Sequence, residues 1–264
     1  MIKKVLHISL WVLLSAGILF LLGFVESKQN DRFCSGLDIY IDRSNGNFFV
    51  DEDDIYAMVY HEADTVVGKK LVDINSEALE HKINNHPSVE KSEVYKTIEG
   101  KLVVEVEQRT PIVRIFAYNG DSYYIDSTGR IMPPSAQYTA RVMVANGYIF
   151  DNFIEINHLN ARELSDSLEV KTLVDDIFEL AEYIRKDELW SAQIEQLYVN
   201  KDFELELIPR VGNHRIVIGD ATAIDEKFDK LKIFYYKGLS KTGWNEYSVI
   251  NLKYANQVVC TKRM

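Results

Sequence analysis

The chain changes its hydrophobic period several times. Residues Val5 to Val25 (VLHISLWVLLSAGILFLLGFV) carry no formal charge, and at helical rise this run spans about 30 Å, the thickness of a bilayer core. Leu37 to Arg43 (LDIYIDR) then alternates with period two and ends at the turn cluster Ser44 to Asn47. In VDEDDIYAMVYHEAD, residues 50 to 64, the period becomes helical. Ile55, Met58 and Val59 share a face, and acidic residues crowd the first turn, where the helix dipole favours them. A second helix is expected over SEALEHKINN, capped by Asn75, with Leu79 and Ile83 as its apolar stripe and Pro87 blocking continuation past His86. Val89 to Thr97 and Lys101 to Gln108 alternate again and join at Glu99-Gly100, a hairpin with Val94, Leu102, Val104 and Val106 facing inward. The order is strand, helix, helix, strand, strand.

From 112 to 149 the pattern becomes short strands rich in Tyr, Ile and Val. Asp126-Ser127-Thr128-Gly129 is a turn between YYI and RIM, which gives Asp126 a structural part. Val170, Leu173, Val174, Ile177, Phe178, Ala181 and Ile184 mark the clearest amphipathic helix of the chain. LYV at 197, FELELI at 203 and HRIVIGD at 214 alternate, and a last helix carries Ile224, Phe228 and Leu231 on one face. INLKYANQVVCTKR, residues 250 to 263, reads as a final strand, with Ile250, Leu252, Tyr254, Val258 and Cys260 on one parity. On the rim of a sheet such a strand offers unpaired N–H and C=O groups to another chain. The fold class is therefore α+β: a transmembrane helix, a β-α-α-β-β module, and a C-terminal mixed-sheet domain with helices on one face.

Composition sharpens this picture. The hydrophobic fraction of 47% and charged fraction of 27% are those of a folded protein. The net charge is −10, and the Lys3-Lys4 pair sets +2 against it, which leaves −12 beyond residue 25 and disfavours nucleic acid and anionic lipid as partners. Lys3 and Lys4 before the apolar run favour a cytoplasmic N-terminus. The run exceeds an ordinary signal-peptide core, and no small-x-small site precedes Glu26, so an anchor is favoured over a cleaved signal. Asp31, Arg32 and Phe33 argue against lipidation at Cys34. Cys34 and Cys260 are too few for a disulfide framework and read as free thiols, one of them buried in a sheet.

Each catalytic pattern fails at a named position. His61-Glu62 opens like a zinc-binding helix, but Thr65 stands where the second histidine is required. Gly120-Asp121-Ser122 lacks the glycine after the serine that a nucleophile elbow needs. The run Asp51 to Asp54 fits helix N-terminal electrostatics, and the six histidines show no paired metal spacing. The expectation is a non-enzymatic protein without catalytic or metal residues, cofactor or small-molecule substrate.

HPSVEKSEVYK (86 to 96) with LVVEVEQRTP (102 to 111), YYIDSTGRIM (123 to 132), and IGDATAIDEKFDKL followed by INLKY together resemble the bacterial FtsQ/DivIB cell-division family, whose first extracytoplasmic module is a POTRA domain. The chain departs from the family pattern at Ser88, Gln108, Asn251 and Lys253. The resemblance implies a cytoplasmic stub at 1–4, a transmembrane helix at 5–25, a POTRA-like domain at 33–109 and a C-terminal β domain at 110–264. It implies a scaffold in the inner membrane at the septum, with its bulk extracytoplasmic, that binds FtsB-like and FtsL-like bitopic division proteins and links division-site assembly to septal peptidoglycan synthesis. The implied mechanism is strand addition along Lys253, Tyr254, Ala255, Asn256, Gln257, Val258 and Val259. The alternative is a POTRA-bearing export or envelope-assembly adaptor.

Overall fold

The computed structural model describes residues 7, 11, 13–18, 32–60, 65–151, 160–161 and 172–263. The chain divides into two units, one of Met1–Gly46 with Val50–Gln108 and the other of Asn47–Phe49 with Arg109–Met264. No helix among the described residues is long and apolar enough to cross a membrane. The span expected at 5–25 falls outside them except for His7, Trp11 and residues 13–18, which are helical. The expected helix end at His61 to Asp64 also lies outside the described residues.

The first unit follows the order read from the sequence. Strand β1 (Gly36–Asp42) is followed by helices α1 (Glu52–Val59) and α2 (Ser76–Asn84) and by strands β2 (Val89–Lys96) and β3 (Lys101–Gln108). β3 lies centrally, parallel to β1 and antiparallel to β2. Local chemistry sets the helix starts. Asp51 caps α1 by accepting from Asp54 N–H while the Asp54 carboxylate accepts from Asp51 N–H, and Asn75 caps α2 by accepting from Ala78 N–H at 3.0 Å. The crowded carboxylates at 51 to 54 are thus accounted for by a capping box. Ile55, Ile83, Val94, Leu102, Val104 and Val106 are buried between the helices and the sheet. At the β2–β3 turn Gly100 takes φ +90, a conformation that disfavours any side chain.

Gln108, one of the departures from the family pattern, is buried and bridges two backbone groups. Its Oε1 accepts from Val50 N–H at 3.0 Å, and its Nε2 donates to the Asp42 carbonyl at 3.2 Å. A glutamate could satisfy only the first and would set a carboxylate against a carbonyl. Gln108→Glu is expected to destabilise the first unit by about 1–3 kcal/mol, read as a lower denaturant midpoint for that unit.

Among the described residues the second unit carries a nine-stranded mixed sheet. Its strands are β4 (Pro111–Phe116), β5 (Ser122–Asp126), β6 (Ile131–Met132), β7 (Met143–Gly147), β8 (Ile194–Val199), β9 (Leu205–Pro209), β10 (Arg215–Gly219), β11 (Tyr247–Asn251) and β12 (Val259–Lys262). The spatial order is β12-β11-β10-β9-β8-β7-β4-β5-β6. Helix α3 (Leu173–Lys186) starts at a Thr172–Asp175 capping box; α4 (Glu188–Gln193) follows, and α5 (Ile224–Phe234) runs on into a π-helical turn, Tyr235–Leu239. One core joins Ile177, Phe178 and Ala181 of α3, Trp190 of α4 and Phe228 and Leu231 of α5 to Ile115, Leu197, Leu207, Ile216 and Ile250 of the strands. Such a core is the consequence of one apolar sheet face covered by amphipathic helices. Val170, assigned to α3 by its period, lies outside the described residues.

Asp126 has the structural part expected of it. Its carboxylate is fully buried, accepts from the N–H groups of Thr128 and Arg130 at 2.8 Å and from the Thr128 hydroxyl at 2.7 Å, and pairs with Arg109 Nη1 at 2.9 Å. Ser122 begins β5, and its hydroxyl accepts from Arg114 Nε at 3.0 Å. Both cysteines are free, but their burial differs from expectation: the buried thiol is Cys34, ahead of β1, whereas Cys260 is half-buried because its strand lies on the rim.

A candidate partner-docking rim

Among the described residues β12 has one neighbour, β11, to which it is antiparallel in the register Asn251↔Val259, Ile250↔Cys260 and Val249↔Thr261. Arg263 N–H donates to Glu246 O. By the alternation of an antiparallel ladder, Val259 and Thr261 also turn their amides toward β11, while Cys260 and Lys262 turn theirs outward. Side chains along β12 are small or charged, and Val259 is 43% exposed.

The stretch 250 to 263 is not one strand. Asn251 ends β11; Leu252 N–H donates to Val217 O, Lys253 N–H donates to Asn251 Oδ1 at 3.0 Å, and Asn256 takes φ 58. These contacts turn the chain back on itself, an Asx-type reversal that the two-residue alternation of 250 to 260 conceals. Of the seven residues expected to dock a partner, Lys253 to Val258 therefore form a turn, and Val259 opens the edge strand. Lys230 of α5 ties the turn down, its Nζ donating to the carbonyls of Leu252 at 2.9 Å and Tyr254 at 2.6 Å.

Two grooves flank the turn. One, about 470 Å³, has Ile233, Phe234, Gln257 and Val258 along its walls with Lys230 and Lys237 beside them. The other, about 380 Å³, is bounded by Phe203, Glu204, Lys253 and Ala255. Lys253 pairs with Glu204 at 2.5 Å, a hydrogen bond that raises the lysine above its ordinary range. Tyr254 is 48% exposed, so it is free of the sheet core. Ile233, Phe234 and Lys237 were not among the sequence-derived docking residues. The signal for them is a charge reversal: residues 227–263 hold Lys227, Lys230, Lys232, Lys237, Lys241, Lys253, Lys262 and Arg263 against Asp229 and Glu246, a local +6 in a chain of −10.

Behind the rim, His214 is buried against Tyr235, whose hydroxyl lies 3.0 Å from its Nε2, and faces the Trp244 ring. Burial pushes its imidazolium form down, the Arg263 charge adds to this, and a backbone contact at Trp244 opposes it. The folded-state pKa thus lies below the unfolded value of about 6.5. The neutral ring contributes its full stability above that value and loses it as pH falls toward the folded pKa. We expect the second unit to lose stability between pH 7.5 and 5, with a smaller loss in His214→Gln, checked by denaturant unfolding at both pH values.

Among known families, the FtsQ/DivIB, C-terminal related model matches residues 110–261, and the POTRA-like domain model matches residues 32–107. The first of these alone covers more than half of the chain. This chain belongs to the FtsQ/DivIB family. A search of curated proteins finds no match. Membership joins the two units in one account: a POTRA-like module followed by the FtsQ/DivIB-type β domain, in a sheet-rich α+β chain whose domains fit a division-scaffold role. Such family proteins are non-enzymatic scaffolds acting through protein–protein contacts at the division site, and among the described residues no cluster of His, Cys, Asp or Glu could hold a metal ion.

Proposed function

We propose that this FtsQ/DivIB-family chain is a divisome scaffold that captures FtsB-like and FtsL-like bitopic partners by adding a partner strand to β12, thereby linking division-site assembly to septal peptidoglycan synthesis. The observation that carries this reading is the rim position of β12, paired on one side with β11 and, among the described residues, with no strand on the other. Main-chain hydrogen bonds along such an edge give affinity, and pockets beside it give specificity. Lys253, Tyr254, Ala255, Asn256, Gln257, Val258 and Val259 fit this role as a turn between two grooves and the start of the added ladder. The local excess of lysine favours a partner segment that carries carboxylates beside apolar side chains.

In this reading residues 5–25 form a single-pass anchor after a cytoplasmic stub at 1–4, with a POTRA-like domain at 33–109 and a C-terminal domain at 110–264 outside the cytoplasm. The uncharged run of 5–25 and the lysines before it support that orientation. Affinity purification of the tagged full-length chain from detergent is expected to recover bitopic division proteins. Recovery of export or envelope-assembly components in their place would favour the adaptor alternative. Tyr254, half-exposed at the tip of the turn, is the anchor candidate. Tyr254→Ala is expected to cost about 2 kcal/mol of partner affinity, and unchanged affinity in calorimetry would remove it from the interface.

A further inference from the structure

β4, β7 and β8 are parallel neighbours, so the loops that follow them emerge at one end of the sheet. Those loops present four aromatic rings in series. Tyr118 stacks on Tyr148, with centroids 5.5 Å apart at 24°; Tyr118 meets Phe150 at 4.9 Å and 41°, and Phe150 meets Phe203 at 6.1 Å and 57°. Tyr118 is 63% exposed, Phe150 55% and Phe203 57%. A connected apolar surface of this kind on a water-facing loop end marks an interaction site.

The ridge is held by backbone chemistry. Tyr118 N–H donates to Ile149 O at 2.7 Å, and Tyr148 N–H donates to Val199 O at 3.0 Å, so the three loops extend the ladder beyond the strands. Gly147 makes the approach possible, since a Cβ there would lie 2.2 Å from Val199 O. Asn200 fixes the β8–β9 turn, its Oδ1 accepting from the N–H groups of Asp202 and Glu204. That turn holds Phe203 at φ 61, a conformation bulky side chains rarely adopt, with its ring out in solvent.

The charges around the rings are mainly negative. The three loops carry Asp121, Asp151, Asp202 and Glu204 against Lys201, and Glu204 is paired with Lys253. Burial, with the Asp175 charge behind it, pushes the Asp151 carboxyl above its ordinary range, and a docked cation would relieve this. The rings are tilted into a ridge and do not form the coplanar floor on which a sugar stacks. The neighbouring segment 152–171 carries four acidic residues, Glu155, Glu163, Asp166 and Glu169, against Arg162 and Lys171, so its charge does not complement the ridge.

We propose that the Tyr118–Tyr148–Phe150–Phe203 ridge with its flanking carboxylates is a second docking site, for an arginine- or lysine-bearing polypeptide segment whose cations meet the carboxylates and ring faces while its stems cover the rings. It is centred on the loops after β4, β7 and β8 and borders the rim groove at Phe203 and Glu204, but its Asp121, Asp151 and Asp202 select the opposite charge from the rim lysines. Cation–π contact combined with carboxylate pairing is the chemistry that recognises such side chains.

The test uses the full-length chain in a zwitterionic detergent and the peptide acetyl-Gly-Arg-Pro-Arg-Gly-amide, with a citrulline-for-arginine analogue and an N-acetylglucosamine tetramer as further probes. Calorimetry is expected to give one site for the arginine peptide and none for the other two. Phe203→Ser and Tyr118→Ser should each weaken that binding at least about tenfold, and the double change Asp121→Asn with Asp202→Asn should weaken it likewise, while unfolding midpoints stay put. Equal binding of the citrulline peptide, binding of the sugar, no heat from the arginine peptide, or full affinity in the Phe203→Ser protein would each overturn the proposal.

Discussion

Asp126→Ala is expected to lower the stability of the second unit by about 3–5 kcal/mol. The carboxylate has no exposure, and its oxygens are the acceptors for two backbone amides, one hydroxyl and the Arg109 guanidinium. Truncation removes the shared acceptor of all four donors, and the Arg109 side chain, 15% exposed, is left as a largely desolvated cation. Asp126→Asn keeps an oxygen for the Thr128 and Arg130 amides but gives up the ion pair, so it should fall between wild type and alanine. Denaturant unfolding monitored on the second unit checks this order. An unchanged midpoint in the alanine variant would mean that the turn is held by Gly129 and the flanking strands alone.

Cys260→Pro is expected to abolish partner capture while leaving the fold intact. The amide at 260 points away from β11, so proline removes no hydrogen bond within the sheet, and an edge position tolerates it. The same change deletes a donor at the middle of the outward row and sets a pyrrolidine ring where an incoming strand must approach. A lost ladder bond plus the disturbed register should cost about 2 kcal/mol or more, some thirtyfold in affinity. Thr261→Pro supplies the contrast, because its amide serves the β11–β12 pairing and its loss should loosen the hairpin itself. A pull-down in which Cys260→Pro recovers the partner as well as wild type would contradict strand addition.

The legible parts of the chain are those whose chemistry is local. Asn75 and the acidic run at 51 to 54 announce helix starts because a cap is satisfied within three residues. Asp126 is readable as a turn residue for the same reason, since its amide partners lie two and four positions on. The rim hairpin is less readable. Residues 250 to 260 alternate as a strand would, and the reversal between Asn251 and Val259 depends on Lys230 reaching from α5 to two turn carbonyls, a contact more than twenty residues away in sequence. Helix α4 was also missed: only six residues long, it is fixed less by its period than by the Asp187 cap and by Trp190 packing on Phe228 and Tyr235. The docking grooves combine both cases. Their lysines stand in the sequence as a charge reversal, but the pairing of Ile233 and Phe234 with Gln257 and Val258 exists only once α5 lies beside the hairpin turn.

Amide hydrogen exchange along β12, with and without the extracytoplasmic segment of an FtsB-like partner, tests the central claim most directly. If the partner adds a strand, the amides of Cys260 and Lys262, open in the free protein, should slow at least about tenfold on binding, whereas those of Val259 and Thr261, already paired to β11, should change less. Binding of the partner without slower exchange at Cys260 and Lys262 would contradict the account and move the contact off the edge.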